Sequence, residues 1–170
     1  KTFEQKMLDQ KERARQSWKG TGDIEDEGIW FEITSKIDPT EFLGYSDMEA
    51  DCKIISIISE SKSVDKIKKD QEAIIILNQT PFYGESGGQV GDHGFFENDS
   101  FKFEVMNTTK IFGNYFLHKG KVISGECEIE DTIKASINTV NRDLIKYNHS
   151  STHLLHAALR KILGKHVTQK

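Results

Sequence analysis

Two histidines, His149 and His153 in NHSSTHLLHAALRKILGKH, are the side chains of this 170-residue sequence best suited by type and spacing to do chemistry. Imidazoles at positions i and i+4 lie on one side of an α-helix and can direct ring nitrogens at a single metal ion. Advancing about 100° per residue puts His153 about 40° from His149, with His156 and Arg160 within about 20° of it. The apolar residues, from Leu154 and Leu155 to Ala158 and Ile162, fall on the other side. The pattern predicts a helix that buries its leucines and turns its histidines away from that core. A core histidine is thereby disfavoured, leaving an exposed pair or a ligand pair. Zinc takes such nitrogen ligands, but usually three or four of them from the protein. His156 is close in angle, yet its spacing fits no ligand pattern. Without the glutamate of HExxH, a metalloprotease is disfavoured.

A second stretch, TPFYGESGGQVGDHG from Thr80 to Gly94, carries five glycines after an apolar run. Glycine permits positive φ and close backbone approach. The sharper reading is that bare N–H groups of Gly87 and Gly88 face a ligand, beside the side-chain amide of Gln89. The plainer reading is a wide loop in a barrel. No GK[ST] follows, so it is not a nucleotide-binding P-loop, and strand-like sequence follows rather than a helix, which excludes a dinucleotide fingerprint.

The elements that must position these residues divide the chain in three. Residues 1–23 alternate charge with a narrow stripe of Phe3, Met7, Leu8 and Ala14, with Gly20 and Gly22 as a stop; this predicts a connecting or docking helix. Residues 24–140 hold short β-branched and aromatic runs separated by turn residues. GIWFEIT is the first, CKIISIIS and EAIIILN are the most apolar, and FKFEVMN and DTIKASI alternate with period two. They predict a small β-barrel or sandwich, and no helix-length pattern interrupts them. Residues 141–170 predict a short helix over NRDLIKYN and a longer one closed by Gly164. No internal repeat is visible. The fold class is therefore mainly β with flanking helices, an α+β arrangement.

Composition narrows the function. Hydrophobic residues are 36% and charged residues 29%, a globular balance, and no apolar run approaches the roughly 20 residues of a membrane span. A net charge of −4 excludes a surface that is basic throughout, so any RNA contact must be local. The basic groups Lys66, Lys68 and Lys69, and the run from Arg160 to Lys170, read first as solvated faces. Cys52 and Cys127 match no CxxC pattern and are expected to be buried thiols in a reducing compartment. The charged opening from Lys1 suggests that the protein begins elsewhere.

Three stretches together resemble alanyl-tRNA synthetases. TPFYGESGGQVGDHG is similar to that family's glycine-rich loop, and NHSSTHLLHAALRKILGKHVTQK to the first metal-binding segment of its editing domain. KERARQSWKGTG followed by TEFLGYSDMEADCKI is similar to its passage from tRNA-recognition helices into a β-barrel. The resemblance implies a middle piece: the end of those helices over 1–23, a barrel similar to domain II of translation GTPases over 24–140, and the start of an editing domain over 141–170. GKVISGECEIEDTIKASI fits that barrel, although Glu130 stands where such barrels often carry glycine.

The resemblance further implies that His149 and His153 are the first two Zn2+ ligands, the others lying farther along the chain, and that Gly87, Gly88 and Gln89 line the editing pocket. His156 falls at a position the family does not use. No catalytic set is complete in the piece. ATP and Mg2+ would act only at a catalytic domain that is absent here. The partners implied are tRNA(Ala), including its mischarged seryl or glycyl forms, and the rest of the synthetase, in the cytoplasm and away from any membrane. Two competing readings are a free-standing editing protein and a non-catalytic barrel that binds RNA or protein.

Overall fold

The computed structural model describes residues 27–168. The helix expected over 1–23 lies outside the described residues. The chain runs α1 (Glu27–Thr34), β1 (Glu41–Phe42), β2 (Glu49–Ser59), β3 (Lys62–Val64), β4 (Lys66–Lys68), β5 (Glu72–Leu77), β6 (Gln79–Thr80), β7 (Gly94–Glu97), β8 (Lys102–Ile111), β9 (Tyr115–Ser124), β10 (Glu126–Glu128), β11 (Thr132–Ile137) and α2 (Thr139–Leu163). Strands β11, β7, β8, β9, β5 and β2 pair in that order, and β2 pairs back to β11. All these pairings are antiparallel, so six strands close a barrel and no long edge is left open. The mainly β architecture with flanking helices matches what the alternating runs predict.

Inward-facing positions fill the barrel. Ile54, Ile75, Phe96, Phe103, Val122 and Ile133 are almost fully enclosed. The register of β2 against β5 shifts between Ile54 and Ser56. Because side chains alternate with period two, that bulge changes which residues face inward. Ile57 joins the barrel interior, and Ile58 turns out to a second cluster with Ile33, Ile76, Ile111 and Leu117.

That second cluster explains why GIWFEIT is a helix and not the strand its composition suggests. Trp30, Ile33 and Ile37 recur at spacings of three and four, and all three pack against the outer face of the barrel. Burying a side chain such as Ile33 contributes roughly 1.5–3 kcal/mol, enough for tertiary packing to override a strand propensity. The Tyr115 hydroxyl holds the helix end by sharing its one proton between the carbonyls of Thr34 and Ile37, at 3.1 and 3.3 Å.

The barrel also contains a repetition the sequence does not show. The turns β4–β5 and β10–β11 match bond for bond. Gln71 Oε1 accepts from the Lys68 amide at 2.8 Å, and Asp131 Oδ2 accepts from the Glu128 amide at 2.9 Å. The amides of Asp70 and Glu130 bond to Val122 and Ile54 carbonyls, at 3.0 and 2.9 Å. Asp70 and Glu130 both have positive φ, 70° and 78°. β4 and β10 pair antiparallel about Ile67 and Cys127. Different residues build one geometry, so no repeat is legible in the letters. Within this pair Lys66 bonds Glu126 at 2.6 Å, which makes the Lys66 region a solvated, charge-balanced face.

Both cysteines are free and buried in the core, where burial pushes each thiol up to about 12.

Candidate functional site

NRDLIKYN and the histidine segment form one continuous helix of 25 residues, not two. Asn138 caps it, its side chain accepting from the Asn141 amide at 3.0 Å, and Gly164 ends it with φ 112°. The expected burial of the leucines does not occur within the described residues: Leu154, Leu155 and Ile162 are 71, 60 and 78% exposed. The helix leaves the barrel, so its amphipathic pattern meets no partner surface there. Arg142 is its one buried residue.

His149 and His153 are exposed, and their Nε2 atoms lie 2.9 Å apart, with ring centroids 4.5 Å apart and planes at 78°. The spacing brings both nitrogens to one point, as the i, i+4 pattern predicts. A hydrogen bond at that distance needs one Nε2 protonated and the other bare. With both protons on Nδ1, the two bare lone pairs would converge on one cation, which is what an imidazole metal site requires. The donor set is a pair only. Among the described residues no group of three or more His, Cys, Asp or Glu is placed to hold a metal. His156 does not join the pair: its Nε2 is 3.3 Å from the Val167 carbonyl, in the turn after the helix.

The glycine stretch is a tight hairpin rather than a wide loop. Ser86 and Gln89 exchange both backbone hydrogen bonds, at 3.2 and 3.0 Å. Gly87 and Gly88 between them have φ of 58° and 78°. Two successive positive φ values are the demand of a type I′ turn, and glycine meets it without strain. The tip is exposed, nothing lies within 4 Å of where a Cβ would sit on either glycine, and Gln89 is half-buried beside it. Gly91 serves the opposite need. A Cβ there would stand 1.9 Å from the Thr108 carbonyl oxygen, so the returning segment lies flat on β8.

Beyond the hairpin the chain dives into the protein at Asp92. The Asp92 carboxylate and the Arg142 guanidinium are only 3% and 4% exposed and form an ion pair through Oδ2 and Nη2. Arg142 Nε donates to the same oxygen at 3.0 Å, and the Tyr83 amide donates to it at 2.7 Å. The guanidinium also donates to the Gly44 carbonyl at 2.9 Å and the Pro81 carbonyl at 2.7 Å. The Asp92 carbonyl accepts from Thr108 Oγ1 at 2.8 Å, and the Asn138 amide donates to the His93 carbonyl at 2.8 Å. One guanidinium thus joins both roots of the hairpin, the β1–β2 loop and α2.

Sequence reasoning missed this pair. A signal was present. Arg142 sits near the positive, amino-terminal end of a helix whose first turn holds no acidic residue, where a cation is unfavourable unless something else holds it. The partner, 50 residues away, has no signature beyond an acid flanked closely by glycines in GDHG.

His118 on β9 is fully enclosed. Its Nδ1 lies 2.9 Å from the Ile75 carbonyl and its Nε2 2.9 Å from Thr80 Oγ1. Nδ1 must therefore carry the proton, since a carbonyl can only accept. The rings of Phe82 and Phe96 meet it edge-on. Burial lowers its pKa to about 4, against the weaker upward pull of the Ile75 carbonyl. It is a neutral core group.

Comparison with known proteins places this geometry in a family context. Residues 1–141 match the family model described as tRNA synthetases class II (A). The alanine–tRNA ligase of Rickettsia felis is 46% identical over 171 residues, covering 100% of this chain and 20% of the relative. That of Rickettsia akari is 47% identical over 172 residues, again 100% and 20%. That of Parvibaculum lavamentivorans is 43% identical over 169 residues, 99% and 19%. The chain spans about a fifth of the length of the curated relatives it matches.

Proposed function

The chain belongs to the class II (A) tRNA synthetase family, and from that premise we propose that it supplies the barrel and half of a hydrolytic editing site in an alanine–tRNA ligase. The whole protein would join alanine to its tRNA with ATP, using Mg2+ and ATP at a domain beyond these residues. This part would act on tRNA(Ala) mischarged with serine or glycine. Such a second site is useful because one binding pocket separates small side chains by only about 1–3 kcal/mol.

The single observation that carries the reading is the convergence of the His149 and His153 Nε2 atoms, 2.9 Å apart on an exposed helix face. Zn2+ bound there would supply a Lewis acid that orients or polarises groups at the ester. Histidine and cysteine donors from later in the chain would complete the shell. The protein's own residues have simpler tasks. His149 and His153 offer imidazole lone pairs. The exposed amides of Gly87 and Gly88 can donate to an anionic or carbonyl oxygen, and the Gln89 amide can position the aminoacyl group. Hydrolysis then breaks the ester between the amino acid and the terminal ribose, with water as nucleophile.

With half of its ligands, this chain alone should be inactive in both reactions. The match over residues 1–141 favours a tethered domain over a free-standing editing protein, because it extends through the amino-terminal segment. The test uses the full-length enzyme. His153→Ala should raise seryl-tRNA while alanine activation stays intact. Unchanged clearance of seryl-tRNA would refute the assignment.

A further inference from the structure

The Asp92–Arg142 ion pair is costly to keep. Each charge loses its hydration on burial, and the pair offsets that only if its remaining hydrogen-bonding groups are satisfied. Here they are. Oδ2 accepts from Tyr83 and twice from Arg142, and the guanidinium reaches three carbonyl-bearing or acidic partners. A hydrophobic pair can stabilise a core as well as an ion pair does, but it lacks directional bonds. The planar five-donor guanidinium fork supplies them in a fixed geometry.

What it orients is α2. Arg142 is the only buried residue of that 25-residue helix. Seven residues separate it from His149, so the two lie about 20° apart around the axis and about 10 Å apart along it. His153 is about 20° off on the other side. The face that docks through Arg142 is therefore the face that carries the histidines. At the other end of the ion pair, Asp92 is three residues from Gln89, at most about 11 Å of chain.

We propose that Asp92 and Arg142 are positioning residues: their ion pair sets the angle and rotation at which α2 leaves the barrel, and so aims the His149–His153 pair toward the space in front of the Gly87–Gly88 hairpin. The geometric part stands by itself; its consequence for hydrolysis rests on the editing reading above.

The test has two arms. In this chain, spin labels at Ser86→Cys and Ser151→Cys report the hairpin-to-helix distance by pulsed electron resonance. The native thiols stay unlabelled because both are buried. Asp92→Asn removes the charge at constant shape, and Arg142→Lys keeps the charge but loses the fork. Near-ultraviolet circular dichroism reports whether the barrel is intact. The expected result is a narrow distance distribution that shifts and broadens in both variants while the barrel signal persists. An unchanged distribution in a folded variant overturns the proposal. If neither variant folds, the pair is a core stabiliser and the positioning role is equally rejected.

In the full-length enzyme, Arg142→Lys should lower kcat for clearing seryl-tRNA by about 10- to 100-fold, the effect of a misplacement near 1 Å. KM and alanine activation should not move. A shifted distance with normal hydrolysis in both Arg142→Lys and His153→Ala would reject the editing reading and leave the positioning role. Normal hydrolysis in Arg142→Lys, with His153→Ala inactive, would reject the consequence for hydrolysis, and together with an unchanged distance it would reject positioning itself.

Discussion

Arg142 and His149 stand two helical turns apart on one face of α2, the first buried against Asp92 and the second in solvent. A single helix face therefore carries both the anchor and the candidate ligands. Its rigidity transmits the position of one to the other, because two turns of α-helix hold a fixed rise and rotation.

Zinc binding by this chain should be weak. Two imidazoles contribute part of a shell that usually needs three or four protein ligands. Zinc titration by calorimetry should show no tight stoichiometric step, and His149→Ala should change helix stability by less than about 0.5 kcal/mol, as expected of an exposed side chain. Tight one-to-one binding abolished by His149→Ala would show that the pair needs no further donors.

Acid should weaken the barrel through His118. Its folded pKa, about 4, lies below the ordinary value of 6.5, so between these the unfolded chain binds more protons. Stability from this group is complete above pH 6.5 and is lost as pH falls toward 4. The total is about 3 kcal/mol, from 1.36 kcal/mol per unit. Urea unfolding at pH 4 to 8 measures it. In His118→Gln the slope across this interval should flatten; an unaltered slope would place the effect elsewhere.

Glu130→Gly should stabilise the protein. Glu130 has φ 78°, and a left-handed conformation costs a non-glycine residue roughly 1–2 kcal/mol, partly offset by the greater unfolded freedom of glycine. A net gain of about 0.5–1 kcal/mol is expected. Its exposed ion pair with Lys53 is worth little at the surface. Asp70→Gly, in the matching turn, should act alike, and the double variant measures whether the two gains add. Thermal unfolding decides the sign.

Within the glycine hairpin two substitutions should separate two causes. Gly88→Ala meets open space but a φ of 78°, so its cost should be about 1 kcal/mol. Gly91→Ala meets the Thr108 carbonyl at 1.9 Å and must displace backbone, costing about 1–3 kcal/mol. A Gly91→Ala variant as stable as the parent would mean that β8 can yield there.

Local periodicity was enough to read most of the barrel strands. CKIISIIS, EAIIILN, FKFEVMN and DTIKASI all became strands, because alternation or a short apolar run reflects contacts that every sheet makes. The convergence of His149 and His153 was also legible, since helix geometry sets it within four residues. GIWFEIT was not: its helical period is expressed only against the outer barrel cluster.

The sequence by itself determined most of the barrel strands, the helical character of the histidine segment with its converging pair, and the glycine hairpin's location. Only the tertiary structure decided what those parts face. Asp92 and Arg142 are 50 residues apart, and nothing local marks an acid and a base as partners. The matched turns at Gln71 and Asp131 use different letters for one hydrogen-bond geometry. The exposed leucines of α2 obey their period, yet burial requires a second surface, which a period cannot supply. Periodicity is a property of neighbours along the chain; ion pairing, closure of the barrel and the aim of a helix depend on residues that meet only after folding.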